Sequence, residues 1–235
     1  MTDLPPPTDV PAAFVTLRHS FPHLAGALQG KAPVRIVAIG SSSTAGRGDV
    51  VPYPHRLEMY LRAHYQDRCP DLRIDVLNRG RGGQEAVEEL GRFDADVFSE
   101  DPSLVIWQVG TNAVFHNYKI EDVADAITAG IARIRAQRMD VMLIDPQYVT
   151  AMLRDDKADA STEMVASIAA IAGGAGVNLF QRWALMRHWH VQNNIGLAQL
   201  LDPSDPDELH QNDWSTMEVS RALSTAMTNA LGAVG

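Results

Sequence analysis

One cysteine, Cys69, stands in the whole chain, which excludes an internal disulfide and a cysteine-built zinc cluster. Basic residues are short as well: Lys+Arg number 20 against Asp+Glu 29, a net charge of -9. A broad nucleic-acid-binding face needs a basic surplus, so no nucleic-acid partner is expected. No apolar run approaches the roughly 18 residues of a membrane span. The start of the chain, MTDLPPPTDVP, lacks the basic-then-apolar pattern of a signal peptide. A soluble protein is therefore expected, exported only if a signal has been removed ahead of Met1. What is present is a globular balance: 235 residues, 46% hydrophobic and 21% charged. That balance excludes global disorder, and the length suits one large domain.

Residues 1–33 read as a leader with a short helix within Phe14–Leu28, followed by a single domain over 34–235. From Val34 the segments alternate. Val34–Ile39 is a β-branched run, Tyr53–Tyr65 an amphipathic helix, Arg73–Leu77 a strand and Gln84–Phe98 a helix. Leu104–Val109 is a strand, Ile120–Arg138 a helix, Val141–Ile144 a strand and Ser161–Ala175 a helix. Val177–Phe180 is a strand, Gln181–His190 a helix, 202–212 a polar loop and Asp213–Leu231 the last helix. Such alternation marks an α/β fold with a five-stranded parallel sheet between helices. In such sheets ligands gather at the carboxyl ends of the strands.

The residues after each strand are therefore the place to look for chemistry. Gly40-Ser41-Ser42-Ser43-Thr44-Ala45-Gly46 follows the first strand, and Asn78-Arg79-Gly80-Arg81-Gly82-Gly83 the second. Gly110-Thr111-Asn112 follows the third, Asp145-Pro146-Gln147-Tyr148 the fourth, and Asp207-Glu208-Leu209-His210 precedes the last helix. Together they offer what acyl transfer needs. A serine at a helix start meets free N–H groups and partial positive charge, but its hydroxyl needs a base to become a nucleophile. Asp207-x-x-His210 places a carboxylate near an imidazole, an arrangement that holds Nδ1–H and leaves Nε2 for the serine. Gly83 lets backbone approach a substrate, and Asn112 adds a side-chain N–H donor. Taken singly, each segment also fits a cap or a tight turn, and from the residues alone Ser41, Ser42 and Ser43 compete.

Gln147 and Tyr148 are placed to wall a substrate pocket. The run Arg187-His188-Trp189-His190 offers a stacking surface for a sugar, and its HWH spacing lacks a third partner for zinc.

These blocks resemble the SGNH (GDSL-type) hydrolase superfamily, which supplies Ser, Gly, Asn and His in that chain order. AIGSSSTAG is similar to its first block and aligns the nucleophile with Ser42; the second block puts the oxyanion glycine at Gly83. Gly110-Thr111-Asn112 matches the third block, and DELHQNDW the fourth, with Asp207 and His210. The family's Asp before the nucleophile is Ser41 here, so the pinning of that loop must come from hydroxyls; its Asp after the third-block Asn is Ala113. The resemblance implies a flavodoxin-like three-layer α/β/α sandwich. It implies Ser42, Asp207 and His210 as catalytic residues and an oxyanion hole from Ser42, Gly83 and Asn112. It also implies hydrolysis of short acyl esters, including O-acetyl groups on carbohydrate, without a cofactor or metal. Two other readings stand beside it. The first loop reads as a phosphate or nucleotide cradle, although it fails the P-loop spacing. The chain also reads as a non-catalytic carbohydrate-binding relative silenced at Ser41.

Overall fold

The computed structural model describes residues 8–30 and 32–232. Five parallel strands form one sheet in the order β2-β1-β3-β4-β5: β1 Val34–Gly40, β2 Ile74–Gly80, β3 Leu104–Gln108, β4 Asp140–Ile144 and β5 Asn178–Phe180. The central strand β3, LVIWQ, is buried along its whole length, as a parallel strand covered on both faces requires. Register runs straight across the sheet, with Ile36 opposite both Val76 and Leu104.

The helices are α1 Pro22–Leu28, α2 Ser42–Ala45, α3 Tyr53–Tyr65, α4 Ala86–Leu90, α5 Phe93–Asp96 and α6 Thr111–Phe115. They continue with α7 Ile120–Ala136, α8 Thr150–Leu153, α9 Ala158–Ala175, α10 Arg182–Val191, α11 Leu197–Leu200 and α12 Asp213–Leu231. Helices α3 and α12 pack on each other, and α7 packs against α4 and α9. The apolar stripe of α7 places Val123, Ile127, Ile131 and Ile134 in the core at spacings of four, four and three. The result is the three-layer α/β/α sandwich.

One segment differs from the sequence expectation. The stretch 84–98 is not one helix but α4, α5 and the 3-10 turn Phe98–Glu100. The break falls at Arg92, whose guanidinium reaches inward to the carbonyls of Arg79 (2.6 Å) and Gly40 (3.2 Å). The described residues before β1 pack against the body, and α1 falls within the expected short helix. Phe21 and Leu24 are buried, Leu24 N–H donates to Asp140 Oδ2 (2.9 Å), and His19 and Asn178 exchange two hydrogen bonds. Leader residues thus close the amino-terminal ends of β4 and β5. No helix among the described residues is long and apolar enough to cross a membrane.

Candidate active site

The first loop turns from β1 directly into the single-turn helix α2, with Ser42 at its start. Gln108, at the end of β3, holds this loop. Its Oε1 accepts from Ser41 N (3.2 Å), Ser41 Oγ (3.1 Å) and Thr44 Oγ1 (3.3 Å). A neutral amide and hydroxyls thus pin the turn that a carboxylate would otherwise organise. On the other side, Gly80 closes against α2 so tightly that a Cβ there would lie 2.1 Å from Ala45 N. Only glycine allows that approach, and it brings the second loop over Ser42: a Cβ on Gly82 would stand 3.9 Å from Ser42 Cβ.

Ser42 Oγ lies 2.8 Å from His210 Nε2, although 168 positions separate the two residues. The carboxylate at the far side of the ring belongs to Asp205: its Oδ2 is 2.7 Å from His210 Nδ1. Asp207, the residue expected there, is exposed, and its backbone holds it: the carbonyl accepts from Arg154 (3.2 Å) and the N–H donates to Asp205 Oδ1 (3.4 Å). The correction has a backbone cause. Asp205 Oδ2 also accepts the N–H groups of Leu209 (3.0 Å) and His210 (2.8 Å), so the chain curls around that carboxylate. Glu208 adopts a left-handed φ of 54° to complete the curl, and Asp207 swings to the outside of it.

Arg47, one residue beyond the first loop, bonds Asp205 Oδ1 through its Nη1, which also lies 2.8 Å from His210 Nδ1. Burial by itself would raise the Asp205 pKa. The His210 N–H, the His210 ring, the Leu209 N–H and Arg47 outweigh it and hold this carboxyl well below the usual carboxylate range. The group next to the imidazole is therefore ionised near neutral pH.

Asn112 is buried at the start of α6, and one N–H of its Nδ2 donates to Gln84 O (2.7 Å). The amide carries a second N–H, so this bond leaves a donor over. Gly83 adopts φ 80°, a conformation that favours glycine, and its loop is exposed. The second and third loops are joined by Glu85, which the sequence reading passed over. Its carboxylate accepts from Ala86 N (2.8 Å), Gly110 N (2.9 Å) and Ala113 N (2.8 Å) while only 2% exposed. Burial raises its pKa, against the pull of those three donors. Replacing Glu85 with Gln turns an acceptor oxygen into an NH2 facing a backbone N–H. A stability loss of about 1–3 kcal/mol is expected for such an unpaired buried group, read from urea unfolding at pH 7. Wild-type stability in that variant would show that these bonds do not hold the loops together.

The three residues expected to line a substrate pocket each have partners within the protein. Gln147 is 1% exposed and works as a buried clasp: it accepts from Ser43 Oγ (3.3 Å) and Thr111 Oγ1 (3.2 Å) and donates to Leu209 O (3.0 Å). It ties together the three loops that carry Ser42, Asn112 and His210. Tyr148 is half-buried, edge-on to Trp183 with ring centres 4.9 Å apart. His188 lies under the leader, its Nε2 3.6 Å from Asp9 Oδ2 and its ring 5.7 Å from that of Phe14. Among the described residues, no group of three His, Cys, Asp or Glu side chains is placed to hold a metal ion.

A parallel α/β/α sandwich thus brings a serine, a histidine and a buried aspartate into one hydrogen-bonded line. The chain belongs to the Non-GDSL lipase-like family, whose model matches residues 7–232. Its own first loop reads Gly-Ser-Ser-Ser, without an Asp before the central serine. The fold is shared with Axe2, an acetylxylan esterase from Geobacillus stearothermophilus. The match has a TM-score of 0.70 and 18% identity, and covers 84% of this chain and 96% of that one. It is shared also with LAE5, an alpha/beta hydrolase enzyme from the metagenome of Lake Arreo, Spain, with a TM-score of 0.70, 21% identity, and 88% and 100% of the two chains covered. No curated protein matches the chain.

Proposed function

We propose that this protein is a serine esterase of the SGNH type, acting on short-chain acyl esters, with O-acetyl groups on carbohydrate among its substrates. The observation that carries the reading is the line Ser42 Oγ–His210 Nε2–Nδ1–Asp205, at 2.8 and 2.7 Å. A serine hydroxyl gains nucleophilic strength only when a base accepts its proton as it attacks. His210 is within proton-transfer distance of that hydroxyl, and Asp205 holds the ring by Nδ1–H so that Nε2 is the free acceptor.

In this mechanism Ser42 Oγ attacks the ester carbonyl and His210 takes its proton. The tetrahedral oxyanion meets the N–H groups of Ser42 and Gly83 and the spare N–H of Asn112 Nδ2. His210 then returns the proton to the departing alcohol as the acyl-enzyme forms. Water, deprotonated by His210, attacks the acyl-enzyme and releases the acid and Ser42. Asp205 stays ionised throughout and stabilises the imidazolium. Each oxyanion donor is worth about 10²–10³ in rate, so Asn112→Ala is expected to lower kcat by that factor with little change in KM.

Many chemistries share one fold, so the substrate class is set by the site and its loops. In Axe2, catalytic variants replace an aspartate and a histidine three positions apart. Asp207 has that spacing from His210, whereas Asp205 has the contact, and the two are separated by experiment below. The direct test of substrate class is a series of 4-nitrophenyl esters from acetate to octanoate beside acetylated xylo-oligosaccharides. Acetate turning over fastest, with acetate release from the sugar, supports the reading. Preference for octanoate, or no turnover of any ester, contradicts it.

A further inference from the structure

Helix α10 follows the carboxyl end of β5 and carries Trp183 and His190 seven positions apart, hence on one face. Tyr148, from the loop after β4, packs against that face. Its ring centre lies 4.9 Å from that of Trp183, with the planes at 83°, and 6.0 Å from that of His190, with the planes at 36°. Trp183 N–H donates to Asp145 Oδ1 (2.9 Å) and so fixes the start of α10 to the loop that carries Tyr148. All three side chains are half-buried. They form a corner, one aromatic face with a second ring standing beside it as a wall. Their polar tips, Tyr148 Oη, Trp183 Nε1 and His190 Nε2, have no hydrogen-bond partner among the described residues, and none of the three is sealed from solvent. His190 Nδ1 lies 2.9 Å from Ile195 O, which can only accept, so a neutral ring donates there and keeps Nε2 as an acceptor. The corner thus offers one donor, one acceptor and one hydroxyl that does both. Of the run 187–190, by contrast, Trp189 is buried and donates its Nε1–H to Asp9 O (3.0 Å).

We propose, resting on the carbohydrate-ester reading above, that this corner is a sugar subsite: it stacks one pyranose ring of the substrate and hydrogen-bonds its hydroxyls. A pyranose with equatorial hydroxyls has two flat C–H faces and a rim of groups that each donate and accept. The faces suit aromatic rings, and the rim suits three unpartnered tips of mixed polarity. An acyl chain covers the rings equally well, but it strips water from the tips without replacing the hydrogen bonds, which is costly. The position agrees. Tyr148 directly follows Gln147, which is bonded to the loops carrying Ser42, Asn112 and His210. Trp183 directly follows Arg182, which lines the space beside Ser42 and His210. Neighbouring Cα atoms are about 3.8 Å apart, so the corner adjoins the catalytic surroundings through two separate elements. The subsite holds the carbohydrate part of the ester, not the reacting carbonyl.

The test is calorimetric titration of the whole protein with unacetylated xylotetraose and cellotetraose, which reads binding without turnover. Saturable binding of at least one is expected. Xylitol, which has the hydroxyls but no ring face, should not bind. Trp183→Ala should raise the dissociation constant by about tenfold or more through loss of the aromatic face. Tyr148→Phe keeps the ring and its packing and removes one hydroxyl, and should raise it by about threefold. Should Trp183→Ala not fold, the wild-type and Tyr148→Phe titrations decide alone. No binding of either tetrasaccharide up to about 10 mM overturns the proposal. So does binding that Tyr148→Phe leaves unchanged, or xylitol binding as tightly as the sugars. Its failure is distinct from that of the esterase reading. Turnover of 4-nitrophenyl acetate without sugar binding removes the subsite and leaves the esterase; sugar binding lost in these variants, without turnover of any ester, removes the esterase and leaves the subsite.

Discussion

Ser42→Ala is expected to abolish ester hydrolysis, lowering kcat by about 10⁴-fold or more while the protein stays folded. The size of the loss follows from the chemistry. Without the hydroxyl there is no acyl-enzyme, and His210 and the oxyanion donors are left to assist a water that nothing positions. Ser42 is one of three serines in a row, and the other two already have partners: Ser41 Oγ bonds Gln108 and Ser43 Oγ bonds Gln147. Ser41→Ala and Ser43→Ala should therefore cost about tenfold at most, through loosening of the loop. Kinetics with 4-nitrophenyl acetate on the three variants give the comparison. An active Ser42→Ala enzyme would falsify the nucleophile.

The second large effect separates Asp205 from Asp207. Asp205→Asn keeps the shape but removes the charge on which the imidazolium depends, and lets the ring settle with the wrong nitrogen protonated. A loss of about 10³–10⁴ in kcat is expected. Asp207→Asn, at an exposed position without a side-chain partner among the described residues, should stay within about threefold of wild type. Stability should separate them as well. The Asp205 carboxyl is held below its ordinary pKa, so the folded state favours its ionised form. That contribution is present above the unfolded pKa of about 3.9 and is lost as pH falls through the folded value. Asp205→Asn should thus be less stable than wild type at pH 7, and the gap should narrow below about pH 4. The reverse ranking, with Asp207→Asn inactive and Asp205→Asn active, would mean that the loop rearranges when substrate binds.

The sequence carries the sheet well because its signals are local. Five apolar runs, four of them closed by glycine, asparagine or Asp-Pro, lie between helical stripes, and the boundaries of α3 and α12 fall where periodicity puts them. The helix expected over 84–98 fails for a non-local reason. Glu85 and Glu89 sit four apart, which in an isolated helix reads as a solvated stripe. Here both are buried, one on the N–H groups of Gly110 and Ala113, the other on Trp107 Nε1 at 2.7 Å. No spacing announces a carboxylate whose partners lie in another loop. Asp205 was hidden for a related reason. The three-residue interval points to Asp207, while the contact is set by a left-handed residue at Glu208 and by N–H groups that only the folded turn presents. Gln108 and Arg47 belong to the same class: polar residues at a strand end or in a loop, unremarkable in sequence, that hold the catalytic loops in place.

The measurement closest to the central claim is covalent trapping. Protein treated with a fluorophosphonate and analysed by intact mass and peptide mapping should carry one adduct, on Ser42, formed in wild type and slowed sharply in His210→Ala. An adduct on Ser41 or Ser43, or none at all in a preparation that hydrolyses 4-nitrophenyl acetate, would contradict the account.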